Sequence, residues 1–288
     1  MHRVGVQPAY VYFPKQLCTP RSRDSDLVQS QLSMSSFILN PETETEAVTE
    51  EPSDAWLGRL GRIGWAWEFL RRNPEYRRQY AQQADATCLE RWGLRYFEDP
   101  FLDSRKANVF WRSESCSAVL PVTAAPLAEG ARPFDIERLQ CSIRIVTPNQ
   151  SKIADVLFRQ DGRILQLAVS GSRTLEGVAL SASVVPMPSH SAGRVLALRR
   201  FVSLVKSSAL LPNLYPPERR AARLTRVLYA LDFWGERRSY RDIGIRLFGE
   251  ARVEREWNDP GDHLRDQVRR AVYYGRTLMT GGYRQFLR

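Results

Sequence analysis

Residues 239–276 read SYRDIGIRLFGEARVEREWNDPGDHLRDQVRRAVYYGR. Two helical signals bracket this stretch. Ser239 can cap a helix, with Asp242 three residues on at the capping-box position. Ile243, Leu247 and Phe248 then repeat at helical spacing, and Gly249 suits the stop. Gly244 is small at a point where another helix can cross closely. The connection after Gly249 spans about a dozen residues and leads to a second helix over 262–279. With 100° per residue, Leu264, Val268, Ala271, Val272, Gly275, Leu278 and Met279 share one side. Arg265, Arg269 and Arg276 fall together on another, with Tyr273 beside them. Asp266 stands four residues before Arg270, so it is expected to neutralise that arginine; Asp262 and Asp266 also stand near Arg265 and Arg269.

Working outward, residues 190–288 carry 20 Lys+Arg against 10 Asp+Glu, while residues 1–189 carry 22 of each. The whole excess of +10 therefore lies in the last third, which points to an anionic partner for that segment. Nucleic acid is the commonest such partner for a soluble domain, and double-stranded DNA is the partner expected here. Upstream, "GRVLALRRFVSLVKSS" predicts a helix with Leu198, Phe201, Val202 and Val205 on one face. Pro216-Pro217 sets up another over about 217–234, with Leu224, Val227, Leu228 and Leu231 inward. Three helices, the last apolar on one face and basic on the other, are the helix-turn-helix plan. Arginine suits a recognition helix because its planar fork can bond guanine or phosphate. The expected DNA-binding residues are Arg265, Arg269, Arg270, Arg276, Tyr273, His263 and Gln267 on that helix, and Arg237, Arg238, Tyr240 and Arg241 at the start of the short one.

The remainder divides into a tail over 1–52, a middle region over 53–188 and a C-terminal domain over 189–288. Residues 53–125 hold five of the seven tryptophans, which read as core packing. Asn73-Pro74 interrupts a first helix and caps a second, from Glu75 to about Ala84. "LERWGLRYFEDP" adds a short helix or turn, and "ANVFWRSES" a possible strand. Over about 134–188 the period changes to short β-branched runs. Asp161-Gly162 marks a tight hairpin, and "VTPNQS" an earlier turn. The fold class expected is α+β and multidomain: a Trp-rich helical unit, a small antiparallel sheet, and an all-α helix-turn-helix domain. "VVPMPSHSAGR" over 184–194 reads as a linker.

Other classes find little support. The four cysteines have no CxxC pair and the three histidines are dispersed, so no metal site, cofactor or catalytic pair is expected. No apolar run is long enough to span a membrane and no secretory leader is visible, so the cytoplasm is the expected location.

The strings "LYALD", "SYRDIGIRLFG", the Trp257 segment, "LRDQVRRAV" and "GGYRQFL" resemble the DNA-binding domain of RovC-like transcription factors, proteobacterial regulators of type VI secretion. They also resemble regulators carried on rhizobial integrative and conjugative elements. The tract "WAWEFLRRNPEYRRQY…WGLRYFEDP" resembles the transcriptional-regulator-like domain that often precedes it. The resemblance covers roughly residues 60–115 and 194–288. Gly244 stands where alanine is more usual, and Phe233-Trp234 are bulkier than expected. The resemblance implies a sequence-specific transcriptional regulator, an activator, working as a homo-oligomer and contacting RNA polymerase or a regulatory protein. The alternative is a protein-binding adaptor or anti-activator that uses the same basic face.

Overall fold

The computed structural model describes residues 10–13, 54–127, 134–147, 153–172, 175, 177–182, 191–259 and 261–288. The order is β1 (Tyr10–Phe13), α1 (Arg62–Leu70), α2 (Pro74–Ala81), α3 (Leu89–Trp92), β2 (Val119–Pro126), β3 (Ser142–Val146), β4 (Ile153–Gln160), β5 (Arg163–Ser170), β6 (Val178–Ala182), α4 (Ser191–Ser207), α5 (Ala221–Gly235), α6 (Tyr240–Phe248), α7 (Glu250–Glu256) and α8 (His263–Met279). Of the expected tail, only Tyr10–Phe13 lies among the described residues, and it is an edge strand paired with β3.

Asp161 and Gly162 both take positive φ, 47° and 77°. That is the mirror-image turn whose twist matches its strands, and β4 and β5 pair directly across it, Gln160 opposite Arg163. The turn expected at "VTPNQS" lies mostly outside the described residues. The sheet is mixed rather than antiparallel. Its order is β1-β3-β4-β5-β2-β6, and β2 runs parallel to β5. β2 was hidden by Pro121 and Pro126, because proline lacks a ladder donor. Pro121 is tolerated because pairing with β6 begins only at Val122, so only β5 flanks it. The possible strand at "ANVFWRSES" reduces to one isolated bridge, Leu94 with Trp111.

Packing does not follow the chain segments. α4, placed by sequence in the C-terminal domain, buries Ala197, Phe201 and Leu204 against Val122, Phe158 and Leu167 of the sheet. Its expected apolar face splits: Phe201 is buried, whereas Val202 and Val205 are exposed. The other sheet face meets the segment after α3. There Asp155 accepts from Arg95 Nε at 3.0 Å and Tyr96 Oη at 2.9 Å, and the Gln166 amide bonds both backbone groups of Trp111. The tryptophan unit shares its core with the C-terminal helices. Trp65, Phe69 and Leu70 of α1 lie in one cluster with Leu224, Leu228 and Leu231 of α5, Leu278 and Met279 of α8, and Tyr283 and Phe286 of the 3-10 turn Gly282–Phe286. Phe69 stacks on Phe286 with centroids 6.3 Å apart.

Polar contacts fix this junction. Arg72 of the α1–α2 corner grips Asp232 of α5 bidentately, at 2.6 and 2.9 Å. The same guanidinium meets Glu68, which is fully buried and also accepts from Arg71 and from the Ser104 amide and hydroxyl. Burial pushes the Glu68 carboxyl up, but Arg71, Arg72 and the hydrogen bonds from Arg72 and Ser104 outweigh it and hold the group below the ordinary carboxylate range. Asn73 caps α2 as expected, accepting from the Glu75 and Tyr76 amides at 2.8 and 3.2 Å. Its amide nitrogen donates to the Met279 carbonyl, 3.0 Å away, at the last residue of α8.

Two outcomes follow from this junction. Asn73→Ala is expected to lower unfolding free energy in urea by about 1–2 kcal/mol. Asn73→Asp keeps the cap acceptor yet loses the donor to Met279, so it should also destabilise; full stability in Asn73→Asp would show that the Met279 bond contributes nothing. Because the Glu68 value is depressed in the folded state, its stabilisation is present above the unfolded carboxylate value and lost as pH falls through the folded one. Glu68→Gln should therefore be less stable at neutral pH and lose less stability on acidification.

Candidate nucleic-acid interface

α6 starts where the chemistry of Ser239 places it. The Asp242 amide donates to Ser239 Oγ at 3.2 Å, and the Ser239 amide donates to the Asp242 carboxylate at 3.1 Å. The Ser239 hydroxyl and amide hold the Asp242 carboxyl below the ordinary carboxylate range. Gly249 ends α6 at φ 85°, a conformation costly for residues with a Cβ. The connection expected after it is not irregular: residues Glu250–Glu256 coil into α7. Val253 is buried there. Gly244 is indeed a close-approach point, but its neighbour is this corner. A Cβ at Gly244 would lie 2.9 Å from the Trp257 ring and 3.4 Å from Val253. The crossing of α8 over α5 sits instead at Gly275, where a Cβ would meet Leu231 Cβ at 3.0 Å and the Val227 carbonyl at 3.1 Å.

The inward side of α8 is the one the periodicity predicts. Leu264, Val268, Val272, Gly275, Leu278 and Met279 are buried, with Ala271 half-buried. Val268 and Val272 pack with Ala230 of α5 and Ile243 of α6. Such burial leaves the opposite face outward along the helix.

The outward face differs from the stripe of Arg265, Arg269 and Arg276. Arg265 turns back onto its own domain: its Nε donates to the Trp257 carbonyl at 2.7 Å and pairs with Asp262 at 2.7 Å. The Arg276 guanidinium lies 4.5 Å from the Trp234 ring centroid, a cation–π platform. Arg269 reaches both Asp262 and Asp266, at 3.0 and 3.1 Å. Asp266 is thus shared, and it stands 3.7 Å from Arg270, which keeps 81% of its side chain exposed. Tyr273 is 73% exposed, at the middle of the outward face. His263 and Gln267 are exposed toward the N-terminal end. At the other element, Arg237, Arg238, Tyr240 and Arg241 all lie exposed around the start of α6. Arg237 adopts φ 62° in the turn before it, and Arg238 stands 3.5 Å from Glu236.

The contacts that hold Arg276 and Arg265 escaped sequence reasoning. Arg276 lies on the Trp234 ring of α5 and Arg265 donates to the Trp257 backbone carbonyl at the α7 corner, and no local spacing ties either tryptophan to an arginine of α8. A second cation–π contact on α8, Arg223 of α5 over Tyr274 at 5.3 Å, is equally non-local. Among the described residues, no group of three or more histidine, cysteine or carboxylate side chains is placed to hold a metal. None of the described helices is long and apolar enough to cross a membrane.

Residues 184–288 match a family model for the RovC DNA-binding domain, whose description is "T6SS, Transcription factor, DNA binding domain". Residues 49–97 match a second model, "Proteobacterial transcriptional regulator-like domain". The C-terminal region is a RovC-type DNA-binding domain. The chain is accordingly a DNA-binding transcriptional regulator and not an enzyme. No curated protein and no solved structure matches it. The RovC-type domain spans α4 to α8, and the regulator-like segment spans α1 to α3. Arg72 with Asp232, and Asn73 with Met279, join the two matched stretches directly.

The Gly244 contact makes a sharp test of the α6–α7 corner in the RovC-type domain. Gly244→Ala is expected to cost about 1–3 kcal/mol by overpacking against Trp257. Pairing it with Trp257→Leu should recover part of that loss in thermal unfolding. Additive losses in the double variant would mean the two side chains do not meet.

Proposed function

We propose that the protein is a sequence-specific regulator whose α8 enters the major groove of DNA, with the start of α6 set against the phosphate backbone. α6, α7 and α8 then form a helix-turn-helix whose turn contains a short helix. The observation that carries this reading is the outward face of α8. It presents Arg269, Arg270, Tyr273 and Arg276 opposite a buried apolar side. A helix of that kind is the element that fits the major groove, where arginine bonds the guanine edge.

The contacts divide the labour. Arg270 and Tyr273, both largely exposed, are assigned to base edges. Arg276, held flat on Trp234, is a pre-organised fork for a base or phosphate. Arg265 and Arg269 sit over Asp262 and Asp266, so their charge is partly spent within the helix, and they serve as orienting and phosphate contacts. Arg237, Arg238, Tyr240 and Arg241 meet the backbone, where hydroxyls and cations position a protein without reading sequence. His263 and Gln267 lie at the end of α8 nearest the groove edge. Resemblance to type VI secretion regulators supports activation, and paired half-sites bound by a homo-oligomer fit the general behaviour of such domains.

The cognate fragment can be obtained by sequencing DNA that co-purifies with the protein. On it, Arg270→Ala and Tyr273→Ala should weaken binding and reduce discrimination against random duplex. Arg241→Ala should weaken binding to both and make the salt dependence shallower, by about 0.9 in the log–log slope for each phosphate no longer neutralised. If all three bind the fragment like the wild type at every salt concentration, while the chain retains a protein partner instead, the adaptor reading replaces this one.

A further inference from the structure

We infer that the outer face of α4 is a docking groove for an amphipathic helix of a partner protein, apolar along one stripe and acidic along its flanks. α4 is apolar on two sides. The inner side, Ala197, Phe201 and Leu204, is consumed by the sheet. The outer side carries Val195, Val202 and Val205, with Leu198, which packs partly against the sheet core, completing successive spacings of 3, 4 and 3. Val195, Val202 and Val205 are 50%, 42% and 52% exposed. A helix with apolar residues on both sides is normally covered on both. Here the three valines stay exposed among the described residues.

Shape and charge define the occupant. A cleft of about 550 Å³ runs between α4 and the 3-10 turn Pro212–Leu214, floored by Leu198, Val202, Leu211 and Leu214. The 3-4-3 spacing is that of a seam into which another helix sets its side chains. The rim charges are Arg199 and Lys206, and no carboxylate lines the cleft. No ion pair engages either cation among the described residues. Along the whole of α4 there are three arginines and one lysine, and no aspartate or glutamate. A second copy of α4 would therefore bring like charges together in either orientation, whereas glutamates flanking an apolar stripe would pair with Arg199 and Lys206. The surface shares no residue with the outward face of α8.

The test uses the full chain and two fluorescent, helix-forming peptides of matching length, both with leucine at 3-4-3 spacing. One has glutamate on its flanks and the other lysine. Fluorescence anisotropy should show the glutamate peptide binding at least about tenfold more tightly than its lysine twin. The double variant R199E/K206E should invert that preference. Val202→Asp, an exposed substitution, should abolish binding of the glutamate peptide while leaving circular dichroism and duplex DNA binding unchanged. The inference is overturned if neither peptide binds, or if the two bind equally well. It is also overturned if the wild type sediments as a dimer that Val202→Asp converts to monomer, because a second copy is then the occupant.

Discussion

Asn73 closes two helices at once, and the rest of the molecule is arranged around that closure. Its side-chain oxygen satisfies amides at the start of α2, and its nitrogen satisfies a carbonyl at the end of α8. A buried side-chain amide has both donor and acceptor capacity, and leaving either unmet is costly. The consequence is geometric. The C-terminal end of α8 is anchored to the regulator-like segment, so its orientation is set partly from outside its own domain. Arg72 adds a second anchor on α5, the helix that α8 crosses at Gly275. The Glu68 network under it is buried and fully partnered, which favours a single arrangement over a loose one.

The α1–α2 corner and the end of α8 are thus joined by one hydrogen bond and a shared apolar core. Conversely, the opposite end of α8 is held by different means, the Trp257 carbonyl on Arg265 and the corner packed against Gly244. The helix is clamped at both ends, with Arg269, Arg270 and Tyr273 exposed between the clamps.

Much of this was legible in the sequence where local chemistry decides structure. The caps at Asn73 and Ser239, the hairpin at Asp161-Gly162 and the buried side of α8 all follow from a few neighbouring residues. The mixed sheet was not legible, because the prolines of β2 argue against a strand and only the absence of β6 opposite Pro121 removes the objection. α7 was missed because "EARVERE" offers a single buried residue, Val253, and no apolar period. The resting places of the α8 arginines were not legible for a related reason. A helical wheel places Arg265 and Arg276 correctly in angle, but it contains neither Trp257 nor Trp234, and those distant residues decide where the two guanidiniums rest. The division of cores was hidden likewise: α4 contacts the sheet and the tryptophan unit contacts the C-terminal helices, pairings that depend on long-range burial.

The proposed function rests on α8 reading DNA from the major groove. Dimethyl sulfate protection on the cognate fragment addresses that directly, since the reagent reports guanine N7 in the major groove and adenine N3 in the minor groove. Bound wild-type protein should protect guanine N7 positions, and Arg270→Ala should restore reactivity at particular guanines while the complex is kept saturated. Protection confined to adenine N3, with every guanine N7 left reactive, would contradict the placement of this helix.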